Sequence, residues 1–185
     1  MNNINYVTGD ATNPLGDGKK FILHIVNDLG VWGSGFVIAV SNKWPKAKTE
    51  YQNWKKQNNG LALGTIQTVV VEKDIVVINM VGQRDIRTLN GVPPVRYGAI
   101  KKCLSKVADL ALKYKASIHA PRFGSERAGG DWKQIEKLIQ DELCSKDIDV
   151  TIYDLPGTTP IVTSPPKTIS NITDVIDPMT GIFDE

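Results

Sequence analysis

The feature that most constrains this chain is an apolar run that leads directly into a glycine-rich loop. Residues 21–26 are Phe, Ile, Leu and Val apart from His24, and such a run is typical of a strand that is covered on both faces. Residues 30–35 then contain three glycines, and a helical pattern begins at Phe36. Glycine lets the backbone approach a ligand closely, and the amides of a loop that enters a helix form an anion site. The sequence therefore predicts a buried strand followed by a loop that can hold phosphate.

A second loop of the same character lies at residues 124–130, Gly-Ser-Glu-Arg-Ala-Gly-Gly. It follows a short β-rich stretch and precedes a helix that Asp131 is placed to cap. Neither loop is a P-loop or a dinucleotide fingerprint, because the spacing of those motifs is missing. Two such loops can grip the two sides of a diphosphate, whereas either one alone is equally a tight turn without a ligand. Arg122 and Arg127 would add positive charge there, or they are structural or solvated residues.

The periodicity of the remaining chain alternates between strand and helix. The predicted strands are residues 4–7, 21–26, 65–71, 75–80, 117–120 and 149–155, and the predicted helices are residues 36–43, 45–57 and 97–114 and a helix after Asp131. The turn at Lys73 and Asp74 predicts a hairpin, and residues 84–95 are expected to form a loop. Alternating strands and helices imply a sheet with parallel segments and helices on both faces. Ligands bind such sheets outside the carboxyl ends of the strands, where residues 9–13, 27–35 and 124–130 would lie.

Composition narrows the class of protein. With 41% apolar and 23% charged residues the chain falls in the ordinary soluble range. It has no apolar run long enough to span a bilayer, and its first residues do not resemble a secretory signal. Cys103 and Cys144 have neither a metal-ligand nor a redox spacing, so we expect free buried thiols. These observations predict a cytoplasmic protein that has no membrane partner, no metal and no cofactor.

Charge divides the chain into two parts. Residues 1–156 hold 21 basic and 16 acidic residues, whereas residues 157–185 hold one lysine and four acids. A mildly basic body suits an anionic small ligand, and the absence of a dense basic run disfavours nucleic acid. Thr, Ser and Pro dominate from residue 157 onward, which predicts a domain over residues 1–156 and an extended tail over 157–185. The tail is either solvated or docked through Ile182 and Phe183.

Several separated motifs occur in a fixed order along residues 4–155. They are Gly9-Asp10-Ala11; His24-X-X-Asn27-X-X-Gly30-X-Trp32-Gly33-X-Gly35; Pro45; Leu63-Gly64; Pro121-Arg122-Phe123-Gly124; and Ala128-Gly129-Gly130-X-Trp132. This ordered set resembles the macro domains. It is most similar to the branch that contains ADP-ribose-1″-phosphate phosphatases and the terminal ADP-ribose protein glycohydrolase. The resemblance implies a three-layer α/β/α fold with a mixed central sheet, and ADP-ribose or ADP-ribose 1″-phosphate as the partner.

The resemblance also implies a set of ligand contacts. Asp10 would accept the exocyclic amine of adenine, and the two glycine loops would enclose the diphosphate and the distal ribose. Tyr153 would lie against adenine or, alternatively, pack in the core. The implied ligand-binding residues are Gly9, Asp10, Ala11, Ile25, Val26, Val31, Trp32, Gly33, Ser34, Gly35, Phe36, Arg122, Phe123, Gly124, Ser125, Glu126, Arg127, Ala128 and Tyr153.

Two residues are implied as catalytic. Asn27 would bond the distal ribose or orient a water, or else it forms a turn. His24 would donate a proton to a leaving group or act as a base toward water, or else it is a core residue. Ala128 stands where the glycohydrolases have an aspartate, which disfavours covalent chemistry. The function expected is hydrolysis of ADP-ribose 1″-phosphate to ADP-ribose and phosphate. The alternatives are an ADP-ribose reader without turnover and a hydrolase that removes ADP-ribose from modified protein or nucleic acid.

Overall fold

A mixed six-stranded sheet organises the molecule. The computed structural model describes residues 1–57 and 61–157. The elements in chain order are β1 (Asn5–Thr8), β2 (Lys20–Asn27), α1 (Phe36–Lys43), α2 (Pro45–Gln57), β3 (Ile66–Glu72), β4 (Ile75–Gln83), α3 (Tyr97–Tyr114), β5 (Ser117–Ala120), α4 (Trp132–Glu142) and β6 (Val150–Asp154), with a short 3-10 turn, Cys144–Lys146, before β6. The strand order across the sheet is β1-β6-β5-β2-β4-β3. The predicted α/β fold is confirmed.

Five of these strands run in the same direction. β1, β6, β5, β2 and β4 pair in parallel, and only β3 is antiparallel to its neighbour, β4. The predicted hairpin is therefore confirmed, and so is the mixed character of the sheet. Because parallel strands have their carboxyl ends at one edge, the loops that follow β1, β2, β4, β5 and β6 all begin at that edge.

Helices cover both faces of the sheet, which gives three layers. β2 shows why its sequence is continuously apolar: Phe21, Leu23 and Ile25 face the cluster that includes α3 and α4, and Ile22 and Val26 face the cluster that includes α1 and α2. Successive side chains of a strand point to opposite faces. A strand buried on both sides is therefore mainly apolar, and a polar residue within it, such as His24, needs a hydrogen-bond partner.

Strand β4 is longer than its sequence indicated. It extends to Gln83, three residues beyond the predicted end, and Val81 pairs with Val26 of β2. Gly82 lies within this extension. In the structure a Cβ built on Gly82 would lie 3.0 Å from Ile25 Cγ2 and 3.1 Å from Ile100 Cγ1. Glycine therefore allows close packing against Ile25 and against Ile100 of α3, and it does not end the strand.

The loop predicted over residues 84–95 is present and contains a small hairpin of its own. The backbones of Leu89 and Val92 exchange two hydrogen bonds of 2.9 and 2.8 Å. Asn90 and Gly91 between them have φ angles of 50° and 77°. Two central residues with positive φ are the signature of a type I′ turn, which Asn-Gly favours.

Both cysteine thiols lie inside the fold. Cys103 and Cys144 are free and buried, as predicted, and burial raises the pKa of Cys103 to about 12 and that of Cys144 to about 11. Among the described residues no helix is both long and apolar enough to cross a membrane. The predicted tail, residues 157–185, lies outside the described residues beyond Gly157.

A charged and aromatic cluster fastens the end of β6 to α4 and β1. Arg122 donates two hydrogen bonds to the carboxylate of Asp154, at 2.6 and 2.9 Å. Its guanidinium also lies 4.8 Å from the ring centroid of Tyr6 and 5.4 Å from that of Trp132. Trp132 Nε1 donates to Tyr6 Oη at 3.1 Å, and Tyr6 in turn donates to Glu136. The charge of Arg122 is therefore held by Asp154 and the two rings.

We expect Arg122→Met to lower the free energy of unfolding by about 2 kcal/mol, because it leaves the largely buried Asp154 carboxylate without its partner. Lys137→Met is the matched control, because its ion pair with Asp141 is more exposed and is worth about 0.5 kcal/mol or less. Urea denaturation of both variants measures the difference. Equal losses would show that the Arg122 cluster contributes no more than a surface pair.

Candidate functional site

The two glycine loops meet at the carboxyl edge of the sheet. The first glycine loop, residues 27–35, follows β2, and the second glycine loop, residues 124–130, follows β5. A Cβ built on Gly35 would lie 3.6 Å from both Cδ and Nε of Arg127. The side chain of Arg127 therefore lies against the backbone of the first loop. The loops converge, and we call the region between residues 31–36 and 124–127 the inter-loop site.

The first glycine loop is shaped by the side chain of Asn27. Its Oδ1 accepts hydrogen bonds from the backbone N–H of Leu29 and of Val31, each at 3.1 Å, and its Nδ2 donates to Val31 O at 2.7 Å. Tyr51 Oη donates to Asn27 O at 2.6 Å. Asn27 is buried. Its geometry is that of a turn-forming residue, and the role beside a ribose stays a prediction.

Helix α1 begins at this loop without a side-chain cap. Gly35, with a φ of 88°, is the N-cap residue, no side chain caps the helix, and its first turn contains no acidic residue. The first N–H groups of a helix have no partner within it, and they stand at the positive end of the helix dipole. Residues 33–35 are exposed. This end of α1 therefore suits an anion.

His24 lies beneath the first glycine loop. Its ring meets those of Trp32 and Phe36 edge-on, at centroid distances of 5.5 and 5.9 Å. Its Nε2 lies 2.6 Å from Asn79 Oδ1. Because Asn79 Nδ2 donates to Gln67 Oε1 at 3.1 Å, Asn79 Oδ1 is the acceptor and His24 Nε2 carries the proton. His24 Nδ1 is buried and has no hydrogen-bond partner among the described residues.

Burial sets the charge state of His24. Desolvation lowers the pKa of its imidazole to about 4, against a smaller opposing effect of the hydrogen bond to Asn79. The ring is therefore neutral near pH 7 and supports the loop from below. A catalytic role for His24 stays a prediction.

The loop after β1 is tied to α1. Asp10 Oδ1 accepts from both the backbone N and the Oγ1 of Thr12, each at 2.8 Å. Lys43, near the end of α1, donates to Thr12 O and to Asn13 Oδ1. These bonds hold residues 10–13 beside the helix whose first turn faces Arg127.

Tyr153 lies under the same loop. A Cβ built on Gly9 would be 3.5 Å from Tyr153 Cδ1. Tyr153 Oη accepts from Leu15 N at 2.8 Å and is hydrogen-bonded to His119 Nδ1 at 2.8 Å. The ring is buried, which favours the packing alternative, and its contact with adenine stays a prediction.

The second glycine loop is closed by its own backbone. Gly130 N donates to Gly124 O at 2.8 Å. Phe123 and Ala128 are buried in the core shared with α3 and α4, so they could meet a ligand only through their backbones. Glu126 and Arg127 are the exposed side chains of this loop.

Burial separates the predicted ligand residues into two groups. At least partly accessible are Gly9, Asp10, Val31, Gly33, Ser34, Gly35, Phe36, Arg122, Gly124, Ser125, Glu126 and Arg127. Buried are Ala11, Ile25, Val26, Trp32, Phe123, Ala128 and Tyr153, together with His24 and Asn27. The accessible group lies on the loops that follow β1, β2 and β5. Arg122 is accessible in part, but its charge is held by Asp154.

Two residues important to this arrangement were missed by the sequence analysis. Lys43 joins α1 to residues 12 and 13, and nothing in the sequence distinguishes it from other surface lysines. Asn79 fixes the tautomer of His24, and it is a polar residue inside the apolar run 75–80. That interruption was a signal that could have identified it.

No cluster of three or more His, Cys, Asp or Glu side chains able to hold a metal occurs in the described part of the chain.

Comparison with known proteins decides the family. No protein-family model matches the chain. A macrodomain protein from Streptomyces coelicolor is 46% identical, and the alignment covers 82% of this chain and 98% of that one, with a TM-score of 0.72. This chain belongs to the macrodomain family. A Bacteroides thetaiotaomicron protein of unknown function is 47% identical, covers 82% of this macrodomain and 98% of its own chain, and has a TM-score of 0.81.

Curated relatives are more distant or much longer. Mouse chromodomain-helicase-DNA-binding protein 1-like is 31% identical over 163 residues, which are 83% of this macrodomain and 18% of the mouse protein. The chain thus spans about a fifth of the length of that relative. An ADP-ribose 1″-phosphate phosphatase from Lodderomyces elongisporus is 26% identical over 82% of this chain and 99% of its own. Thermosipho africanus DarTG, solved in complex with ADP-ribose, shares the fold at 19% identity and a TM-score of 0.65, covering 90% of this chain and 44% of that one.

We expect acid to destabilise the fold through His24. Its pKa is about 4 in the folded protein and about 6.5 when unfolded, so the unfolded chain binds the proton more readily between these values. Stability is therefore full above pH 6.5 and falls as the pH drops toward 4, by up to about 3 kcal/mol for this group. The pKa of His119 is lowered to about 4 as well and adds to the loss. In urea denaturation from pH 7.5 to 4.5, His24→Gln should show a shallower decline than the wild type. An unchanged slope would contradict a buried neutral His24.

A pair of glycine substitutions tests the second loop. A Cβ on Gly130 would lie 2.5 Å from the backbone oxygen of Gly124, whereas a Cβ on Gly33 would meet no atom within 4 Å. We expect Gly130→Ala to lower the free energy of unfolding by about 2 kcal/mol, because the new Cβ would clash with a main-chain oxygen that cannot rotate away as a side chain could. Gly33→Ala should leave stability within about 0.5 kcal/mol of the wild type. Thermal unfolding of both proteins checks this, and equal melting temperatures would refute the close approach.

Proposed function

We propose that this macrodomain binds ADP-ribose at the inter-loop site. The observation that carries the proposal is that the side chain of Arg127 lies against Gly35 at the uncapped start of α1. Its Cδ and Nε are each 3.6 Å from the position that a Cβ on Gly35 would occupy. A cation beside the positive end of a helix is repelled unless an anion lies between them. The diphosphate of ADP-ribose supplies such an anion.

The two loops divide the ligand between them. Backbone N–H groups of residues 33–36 face phosphate oxygens from one side, and the guanidinium of Arg127 meets them from the other. Asp10 uses Oδ1 for its own turn, so Oδ2 is the oxygen that would accept the amine of adenine. The Thermosipho DarTG structure, which shares this fold, contains ADP-ribose, and that supports the choice of ligand.

Hydrolysis is the second candidate function, in two forms. Similarity to the Lodderomyces ADP-ribose 1″-phosphate phosphatase along 99% of its length favours release of the terminal phosphate. In the other form, the chain would remove ADP-ribose from a modified protein. In the phosphatase form His24 acts as a base, because its ring is neutral and only Nδ1 has a lone pair to offer. Asn27 holds the loop that positions the ligand.

The binding proposal is tested by titration calorimetry with ADP-ribose. Arg127→Ala should weaken binding about tenfold, as expected for one lost charge-assisted hydrogen bond to phosphate. Lys137→Ala, on the exposed side of α4, is the control and should bind as the wild type does. Absence of binding heat with the wild-type protein would end the proposal.

Turnover is tested separately, by phosphate release from ADP-ribose 1″-phosphate and by release of ADP-ribose from a modified protein. His24→Gln keeps a donor for Asn79 but removes the imidazole base. If the phosphatase form is correct, this variant should lose at least about 100-fold in rate while its affinity for ADP-ribose is kept. If the wild type binds ADP-ribose but releases neither product, the domain is a binding module and not an enzyme.

A further inference from the structure

The chain that follows β1 is fastened at two points to the end of β6. Gly9 N donates to Asp154 O at 2.8 Å, and Leu15 N donates to Tyr153 Oη at 2.8 Å. We call residues 9–15, the segment between these two anchors, the adenine turn, because it contains the aspartate predicted to meet adenine. The first anchor joins backbone to backbone. The second depends on a single side-chain hydroxyl.

That hydroxyl belongs to a buried series of hydrogen bonds. His119 Nδ1 lies 2.8 Å from Tyr153 Oη, and His119 Nε2 lies 2.8 Å from Ser117 Oγ. Ser117 Oγ in turn donates to Lys19 O at 3.5 Å. His119 and Tyr153 are only 3% and 4% exposed. The protein itself therefore supplies the partners of both side chains.

The protons of this series have one consistent arrangement. Ser117 donates its proton to Lys19 O, so its oxygen accepts from His119 Nε2. The imidazole is neutral near pH 7, mainly because burial lowers its pKa to about 4, and Nδ1 therefore offers a lone pair. Tyr153 Oη already accepts from Leu15 N, and its own proton is donated to Nδ1. The opposite tautomer would leave that proton without an acceptor in the described part of the chain.

The lone pair of His119 Nδ1 thus fixes the direction of the Tyr153 hydroxyl. Without this acceptor the O–H group is buried and unsatisfied, which weakens its hold on Leu15 N. Asp10 lies on the turn between the two anchors, and its Oδ2 is the oxygen left for a ligand. A group that recognises a ligand has to be held within about 0.5 Å of its productive position. The placement of Asp10 therefore depends on a ring that it does not touch.

A third attachment of the adenine turn is weaker. Lys43 of α1 donates to Thr12 O and to Asn13 Oδ1, but this lysine is exposed. Ordering a long exposed side chain costs conformational entropy, and water competes for its charge. The buried bond from Tyr153 therefore contributes more to the position of the turn.

We propose that His119 is a positioning residue for recognition of the nucleobase: it orients the hydroxyl of Tyr153, which holds the adenine turn and with it Asp10. The proposal rests on the function proposed above and assigns the source of base specificity within the same site. A purine that carries a carbonyl oxygen in place of the amine offers no proton to Asp10 and repels its carboxylate. Discrimination between the two bases therefore requires that Asp10 stay in place.

The test measures the preference for the amine by titration calorimetry. The probes are ADP-ribose and inosine diphosphate ribose, in which a carbonyl oxygen replaces the amine of adenine. We expect the wild type to prefer ADP-ribose by at least about tenfold, the value of one charge-assisted hydrogen bond. His119→Leu keeps an apolar side chain in the core but removes the acceptor. Its preference should fall to about threefold or less, chiefly through weaker binding of ADP-ribose.

Three further variants separate positioning from general damage. His119→Asn places an amide oxygen near the position of Nδ1 and should recover most of the preference. Thr151→Val is the matched control, because Thr151 lies beside His119 in the register of β5 and β6, and it should keep the wild-type preference. Tyr153→Phe should lose as much preference as His119→Leu, and the two changes combined should lose little more. It also carries the test if His119→Leu does not fold.

Equal weakening of both ligands in His119→Leu overturns the inference, because a purely structural residue affects both alike. An unchanged preference overturns it too, and so does a loss that His119→Asn does not recover. If the wild type binds ADP-ribose no better than the inosine analogue, the inference fails while ADP-ribose binding stands. If the wild type binds no ADP-ribose, the proposed function fails together with the inference.

Discussion

The side-chain amide of Asn27 is the interaction on which the rest of the site depends. It accepts from two backbone N–H groups and donates to Val31 O, while Tyr51 of α2 fixes its own carbonyl. Aspartate at this position could not donate to Val31, and serine is too short to reach both N–H groups. Because one amide determines the path of residues 27–31, it sets the direction in which the loop continues toward Gly35, the glycine that approaches Arg127.

A buried chain of hydrogen bonds supports that loop from the sheet. His24 donates to Asn79, Asn79 donates to Gln67 and to Ala47 O at 3.4 Å, and Gln67 donates to Glu50 O at 2.9 Å. Polar groups in a core are tolerated when they have hydrogen-bond partners. Within the described residues of this hydrogen-bonded series, Nδ1 of His24 is the buried side-chain atom that lacks one. The series connects β2, β4, β3 and α2, so the rings of Trp32 and Phe36 rest on a base that belongs to the core.

The sequence predicted the fold well because the fold depends on local patterns. Alternation of strands and helices, the continuous apolar run of β2 and the turn at Lys73 and Asp74 each act over a few residues. The partners of single polar side chains are not local. Arg122 could be assigned from the sequence either to a phosphate site or to a structural role, and the structure pairs its guanidinium with Asp154, 32 residues away. His24 meets Asn79 across 55 residues. Only the packed sheet brings such pairs together, so side-chain roles at the site could not be derived from spacing.

The distribution of charge separates two tasks that a domain of this kind would have to perform. A net positive body attracts anionic ligands over distances of about a Debye length, roughly 10 Å at 0.1 M salt, without specifying what the ligand is attached to. Contact with the attached group takes place at short range, where shape and apolar area decide. Helices α2 and α3 carry eight of the chain's seventeen lysines, whereas the charged residues of the two glycine loops are Asp28, Glu126 and Arg127, so the attraction of anions originates largely on the helices and not on the loops.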